Sequence, residues 1–207
     1  MNTATMKINP GKTSDVPEWY ASFEAALVPI CAPTLAGLKS ASIFSVRPTD
    51  PEYIRFKVEY WDHKLSKFGV RVAILKEGNA PRPTIIYVYR PHRVQADLDK
   101  AGVREFLGRY GYSSDLSLEE CLEILREHLS EGSKFPHEIG IFIGYPLEDV
   151  VPFVENKDRS GCCMGLWCAY CNKEEKENFF NYCKRCTTIY TRLFHQGRPV
   201  EQMVVAC

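Results

Sequence analysis

Seven of the nine cysteines lie beyond position 160, as Cys162-Cys163, Cys168-Ala-Tyr-Cys171, Cys183-Lys-Arg-Cys186 and Cys207. Two Cys-x-x-Cys pairs separated by eleven residues have the ligand count of a tetrahedral site. Four thiolates at about 2.3 Å would hold zinc, the same thiolates could carry an iron–sulfur cluster, and Cys162 and Cys163 would be spare ligands. A second chemistry is redox. Trp167-Cys168-Ala-Tyr-Cys171, after a strand and before a helix, has the local look of a thioredoxin site, where a helix N-terminus lowers the first thiol's pKa. Only 36 residues follow Cys171 and they begin with one long helix, so the thioredoxin fold does not fit, although a dithiol can cycle on another scaffold. A third reading needs no chemistry. Phe179, Cys183, Cys186, Tyr190 and Leu193 fall on one face of a helix, where free cysteine behaves as a small buried hydrophobe. Cys168 and Cys171 lie before that helix and outside its apolar stripe, which makes them the preferred metal or redox pair.

His137-Glu138 opens the apolar run Ile139–Ile143. A zincin helix would need a second histidine at 141, where Ile141 stands. On a strand the two side chains point to opposite faces, so a structural role is favoured over an acid–base pair. Ligands of α/β sheets bind beyond the carboxyl ends of strands, and Tyr89, Arg90, His92, Gly144 and Tyr145 would collect there as a small-molecule pocket. Gly144-Tyr145-Pro146 lacks the repeated glycines of a phosphate cradle, and no Gly-x-Ser-x-Gly elbow is present.

The elements that must position these residues follow from pattern. Residues 1–16 have the composition of a mobile tail, and 17–207 read as a single domain with its cysteine-rich segment at 162–186. A helix from near Trp19 is expected to end at Pro29 and Pro33. Ala41–Val46 reads as a strand, and Asp50-Pro51 opens a helix that Gly69 stops. Val70–Leu75 and Thr84–Arg90 read as an antiparallel hairpin, followed by helices over 92–100, 103–110 and 117–130, the last with a Ser117/Glu120 capping box. Ile139–Ile143 is expected to be a central strand buried on both faces. A helix ending near Asn156, a strand over Gly165–Tyr170 and a long helix Lys173–His195, capped by Asn172 and Glu175, complete the chain. The fold expected is α/β or α+β, with a mixed sheet of about five strands covered by helices.

Composition narrows the partners. With 26 basic and 26 acidic side chains the formal charge is zero, which disfavours nucleic acid and anionic membranes. No signal-like or membrane-spanning apolar run is seen, so a cytoplasmic location is expected, where thiols stay reduced. Val204 stands where a prenylated cysteine would be needed. At this length folding buries roughly 70% of the unfolded surface, so disulfides are not needed for a core.

Four segments carry a family resemblance: Cys31-Ala-Pro-Thr-Leu-Ala-Gly-Leu-Lys39, Tyr87-Val-Tyr-Arg-Pro91, Phe106-Leu-Gly-Arg-Tyr-Gly-Tyr112 and Phe135-Pro-His-Glu-Ile-Gly-Ile-Phe-Ile-Gly-Tyr-Pro-Leu-Glu-Asp-Val150. On these, over nearly all of residues 30–205, the chain resembles a bacterial family of unknown function, typical of anaerobes. The resemblance implies iron or redox physiology, with a redox or iron-metabolism protein as partner, and supplies no established reaction or catalytic residue. The resembling family has Gly-Tyr-Trp-Lys-Val-Tyr where this chain has Gly165-Leu-Trp-Cys-Ala-Tyr170, so Cys168 stands outside the shared pattern. Three functions remain open from the residues: a metal- or redox-linked accessory protein, a small-molecule binder or enzyme around Arg90, His92 and Tyr145, and an interaction module without chemistry.

Overall fold

The strand Thr84–Tyr89 organises the molecule, because five of its six residues are buried. In the computed structural model, which describes residues 23–47, 50–79, 82–131, 135–155 and 160–206, the order is α1 (Phe23–Leu35), β1 (Ala41–Val46), α2 (Pro51–Ser66), β2 (Arg71–Lys76) and β3 (Thr84–Tyr89). There follow α3 (Pro91–Leu98), α4 (Val103–Gly108), α5 (Leu118–Glu131), α6 (Ile139–Phe142), α7 (Leu147–Glu155), β4 (Cys163–Met164), β5 (Cys168–Ala169), α8 (Lys173–His195) and a 3-10 turn, Val200–Met203. The tail, the helix start near Trp19 and Cys207 lie outside the described residues.

β3 sits between β1 and β2, antiparallel to both, with Ala41 opposite Tyr89 and Arg71 opposite Tyr89 on the other side. Alternation along β3 feeds two cores. Ile86 and Val88 face α1, α2 and the end of α8, packing with Leu27, Val58, Trp61 and Leu193. Tyr87 and Tyr89 face α3 to α7, packing with Leu98, Leu107, Leu125 and Phe142. Each fully buried aliphatic side chain contributes about 1.5–3 kcal/mol, so a strand buried on both faces is the most strongly fixed part of the sheet. The result is a single α+β domain, with a three-stranded sheet between two helical layers.

Local rules account for most of the boundaries. Asp50 Oδ1 accepts from the Glu52 N–H at 2.9 Å, Pro51 occupies the first helical position, and Ile54, Val58, Trp61 and Leu65 form the buried stripe of α2. Ser117 and Glu120 close the expected capping box: the Ser117 N–H donates to Glu120 Oε2 at 2.8 Å and the Glu120 N–H to Ser117 Oγ at 3.3 Å.

Five expectations are corrected. The sheet is not mixed and not five-stranded; it has three antiparallel strands, and β4–β5 form a separate two-stranded ribbon. Ile139–Phe142 is one helical turn rather than a central strand, and Gly144, at φ 78°, closes it by letting the Tyr145 N–H reach back to the Gly140 carbonyl at 2.8 Å. A short apolar run reads alike as buried strand and buried helix, and the β3 position was already taken by a better strand former. The helix α1 runs through Pro29 and Pro33, since burial of Phe23, Leu27, Val28, Cys31 and Leu35 outweighs the amide hydrogen bonds that two prolines cannot make. The strand over Gly165–Tyr170 shrinks to Cys168–Ala169. Asn172 precedes α8 in the left-handed region, φ 51°, and its side chain makes no cap.

Candidate functional site

The ribbon brings four cysteines within ten residues of chain, Cys162, Cys163, Cys168 and Cys171, each free and half-buried. Its register sets Cys163 opposite Ala169 and Met164 opposite Cys168. Two glycines permit the packing. A Cβ on Gly161 would fall 2.3 Å from Cys168 Sγ, and one on Gly165 would fall 2.1 Å from the Phe180 ring, so the ribbon lies flat against α8 only with glycine at both positions. Trp167 completes the seat, tilted over Tyr145 at 4.6 Å and edge-on to Phe180 at 4.7 Å.

Asp149, in the first turn of α7 and only 1% exposed, holds the ribbon in place. Its Oδ2 accepts from Trp167 Nε1 at 2.8 Å and meets Lys176 Nζ at 2.9 Å, while its Oδ1 accepts from the Tyr170 N–H at 2.8 Å. A carboxylate at that depth is tolerable because each lone-pair direction is used by a donor or a cation. Burial works against the charge on Lys176, yet hydrogen bonds to Asp149 and to Glu148, 3.2 Å away, lift its pKa above the ordinary lysine value.

The same carboxylate sets the character of the thiols. Cys171 Sγ lies 3.9 Å from Asp149 Oδ1, and burial, then Asp149 and Glu148, push its pKa up. Cys162 Sγ donates to the Cys171 carbonyl at 3.5 Å and lies beside the Cys163 thiol, which burial and the Cys162 contact also push up. The Cys162 thiol thus meets the Cys163 thiol and the Cys171 carbonyl. Cys168 faces Gly161 instead, and among the described residues no thiol contact joins it to Cys171. At the helix start, burial and the carboxylates of Asp149 and Glu148 disfavour the Cys171 thiolate.

Cys183 and Cys186 lie elsewhere. Ten residues into α8, Cys183 is about 15 Å along the axis from the helix start, and both thiols are buried, with pKa values pushed up to about 11, by burial in each case. The two Cys-x-x-Cys pairs therefore do not converge on a tetrahedron. Among the described residues no three His, Cys, Asp or Glu side chains are grouped to hold a metal ion. The core-stripe placement applies to this second pair.

The residues of the strand-end pocket do not assemble. Arg90 is fully buried and donates to main-chain carbonyls: Nε to Thr34 at 2.8 Å, Nη2 to Leu35 at 2.8 Å and to Val205 at 2.7 Å. It closes the carbonyl end of α1 and is not presented to a ligand. Tyr89 is buried and stacked on Tyr87 at 4.5 Å, and His92 is exposed on α3. Gly144 and Tyr145 lie beside Lys39 and Ser40, with Lys39 Nζ 5.2 Å from the Tyr145 ring centre.

His137 and Glu138 are likewise parted. His137 packs edge-on against Phe153, whereas Glu138, 2% exposed, accepts from or donates to His128 Nδ1 at 2.8 Å on α5. Tyr112 stands over the His128 ring, and its buried hydroxyl lies near the Glu138 carboxylate without completing a well-formed hydrogen bond. Sequence reasoning missed Asp149, Lys39, His128 and Tyr112 as members of sites. A first-turn carboxylate is explained by the helix dipole alone, and nothing local ties it to Trp167 or Lys176, 18 and 27 positions away.

Fold and site define a small α+β protein whose distinguishing feature is a thiol-bearing ribbon anchored by a buried ion pair. The chain belongs to the family described as protein of unknown function (DUF3793), whose model matches residues 27–204. Neither a curated protein nor a solved structure matches it. No helix among the described residues is long and apolar enough to cross a membrane.

Proposed function

We propose that the protein is a thiol–disulfide accessory factor, with Cys162 and Cys171 as the dithiol and Cys163 as the neighbouring thiol that can take over either bond. The observation that carries this reading is the half-exposed Cys162 thiol lying against the Cys163 thiol and the Cys171 carbonyl, on a ribbon whose geometry Asp149 fixes. The reaction balances as two protein thiols plus a partner's disulfide giving one protein disulfide and two partner thiols, with two electrons passing to the partner. Burial, Asp149 and Glu148 raise the Cys171 pKa, so this thiol gains nothing from a stabilised thiolate, and its exchange is slow near neutral pH and quickens as pH rises.

Surface chemistry favours a protein as the other half of the couple. The ribbon tip exposes Met164 (66%) and Leu166 (38%), and an open depression of about 550 Å³ lined by Asn172, Lys173, Glu175 and Asn178 lies beside Cys171. A redox or iron-metabolism protein with an apolar edge suits that face. A cytoplasmic setting, where such dithiols cycle, belongs to the same proposal.

The test is differential alkylation with peptide mass mapping after equilibration in glutathione buffers. The expected result is a disulfide linking Cys162 to Cys171 or Cys163, lost in Cys162→Ser, with Cys31, Cys121, Cys183 and Cys186 reduced throughout. Ribbon thiols that stay reduced across the range from roughly −320 to −180 mV would overturn it. A Cys168–Cys171 bond would move the reaction back to the pair expected from spacing.

A further inference from the structure

Far from the thiol ribbon, α2 carries two stripes. Ile54, Val58, Trp61 and Leu65 are buried in the core with Ile86 and Val88 of β3. About 150° round the helix, Tyr53, Phe56, Tyr60 and His63 are all exposed, Phe56 at 61%. Their steps of three, four and three residues are those of a two-stranded coiled-coil seam. Three aromatic rings in one contiguous row differ from the scattered apolar residues of an ordinary solvated face. The row is ordered in the single chain: Phe56 and Tyr60 lie 6.2 Å apart, and the Lys57 ammonium lies over Tyr53 and Tyr60, 5.8 and 5.7 Å from their ring centres.

Charge is sorted to either side of the seam. Glu52 and Glu59 flank it on one side, Lys57 and Lys64 on the other. Glu59 has no ion-pair partner among the described residues. Lys64 is 39% exposed and reaches Glu201 only at 3.7 Å, so its ammonium has donors to spare. Lys57 is held more deeply, by Glu24.

We propose that this face of α2 is the contact of a homodimer, in which two copies of the chain lay their seams together with the helices parallel about a two-fold axis. In a parallel pair the acidic row of each helix faces the basic row of the other, five residues on. Glu59 of one copy then meets Lys64 of the other, and Glu52 meets Lys57. An antiparallel pair would set glutamate against glutamate and lysine against lysine. Zero formal charge leaves no long-range repulsion between the copies. Because α2 is already folded, with Asp50 as its cap, association does not have to supply the cost of forming the helix.

Sedimentation velocity of the full chain under reducing conditions, from about 1 to 100 μM, tests this apart from any ribbon disulfide. A dimer is expected. Phe56→Glu sets a charge against its own copy at the axis and should raise the dissociation constant at least about 100-fold. Circular dichroism should be unchanged, since position 56 faces solvent in the single chain. Glu59→Lys reports the orientation independently. It sets lysine against Lys64 in the parallel pair and should weaken it roughly tenfold, whereas it would relieve the acidic contact of an antiparallel pair. A monomer throughout the range, a dimer indifferent to Phe56→Glu, or one strengthened by Glu59→Lys would overturn the proposal.

Discussion

Replacing Asp149 with alanine removes the acceptor of two hydrogen bonds and the counter-ion of Lys176 together. Breaking a buried ion pair from one side costs about 3–5 kcal/mol. The low end applies here, because Glu148 remains 3.2 Å from the ammonium. The Trp167 indole and the Tyr170 amide each lose an acceptor, at roughly 1–3 kcal/mol apiece, but the losses share one network and do not add in full. A total of about 4 kcal/mol is expected, which for a domain of this size lowers Tm by roughly 8–16 °C. The ribbon should loosen before the sheet does. Thiol labelling of Cys162, Cys163 and Cys171 should rise at least about tenfold under conditions where circular dichroism still reports a folded chain. Asp149→Asn should fall between the two proteins, since its amide oxygen can still accept from Tyr170 but the charge is gone. A Tm within 2 °C of the parent, with unchanged labelling rates, would refute the assignment of Asp149 as the ribbon's anchor.

Other substitutions test the remaining features. Lys39 has a folded pKa below its unfolded value, so the unfolded chain holds the extra proton between pH 8 and 10.5 and this residue's penalty is greatest below pH 8. Lys39→Met should therefore be more stable than the parent at pH 7, with an advantage that shrinks by up to about 3 kcal/mol by pH 10.5 in paired urea titrations. Arg90→Lys replaces a fork that serves the carbonyls of Thr34, Leu35, Phe68 and Val205 with a point donor, and should cost roughly 2–4 kcal/mol in the same assay. Tyr112→Phe deletes a buried hydroxyl that lies near Glu138 without a well-formed hydrogen bond, and calorimetry should find it within about 1 kcal/mol of the parent.

What could be read from the sequence followed how local each rule is. The caps at Asp50 and Ser117, the extent of α2, the β2–β3 hairpin and the stripe of α8 act over a few residues, and all are present in the fold. The two faces of β3 were legible as a β-branched and aromatic run, but its central position was not, because Ile139–Ile143 offered an equally apolar competitor. The site was legible as a set of cysteines and not as a geometry. Spacing paired Cys168 with Cys171, whereas the ribbon's turn at Gly165 and Leu166 folds Cys162 back onto Cys171. Arg90 was taken for a ligand group at a strand end. Its role depends on α1 ending beside Val205, a relation between segments 115 positions apart from the arginine in one case and 55 in the other.

That three-way meeting at Arg90 bears on how the chain is made. During synthesis the guanidinium and the carbonyls of α1 are available early, but the Val205 carbonyl and the amide that donates to Leu35 come only after α8 has been made. Until then the face of α1 that α8 covers has no neighbour, and an apolar surface including Leu27 and Cys31 waits uncovered at translation rates of about 5–20 residues per second. The three strands and the helices up to α7 can pair before that point, so the sheet forms while the helical layer of α1 is still incomplete. Completion waits for the segment that follows α8, and this docking is the step at which a nascent chain would most depend on a chaperone.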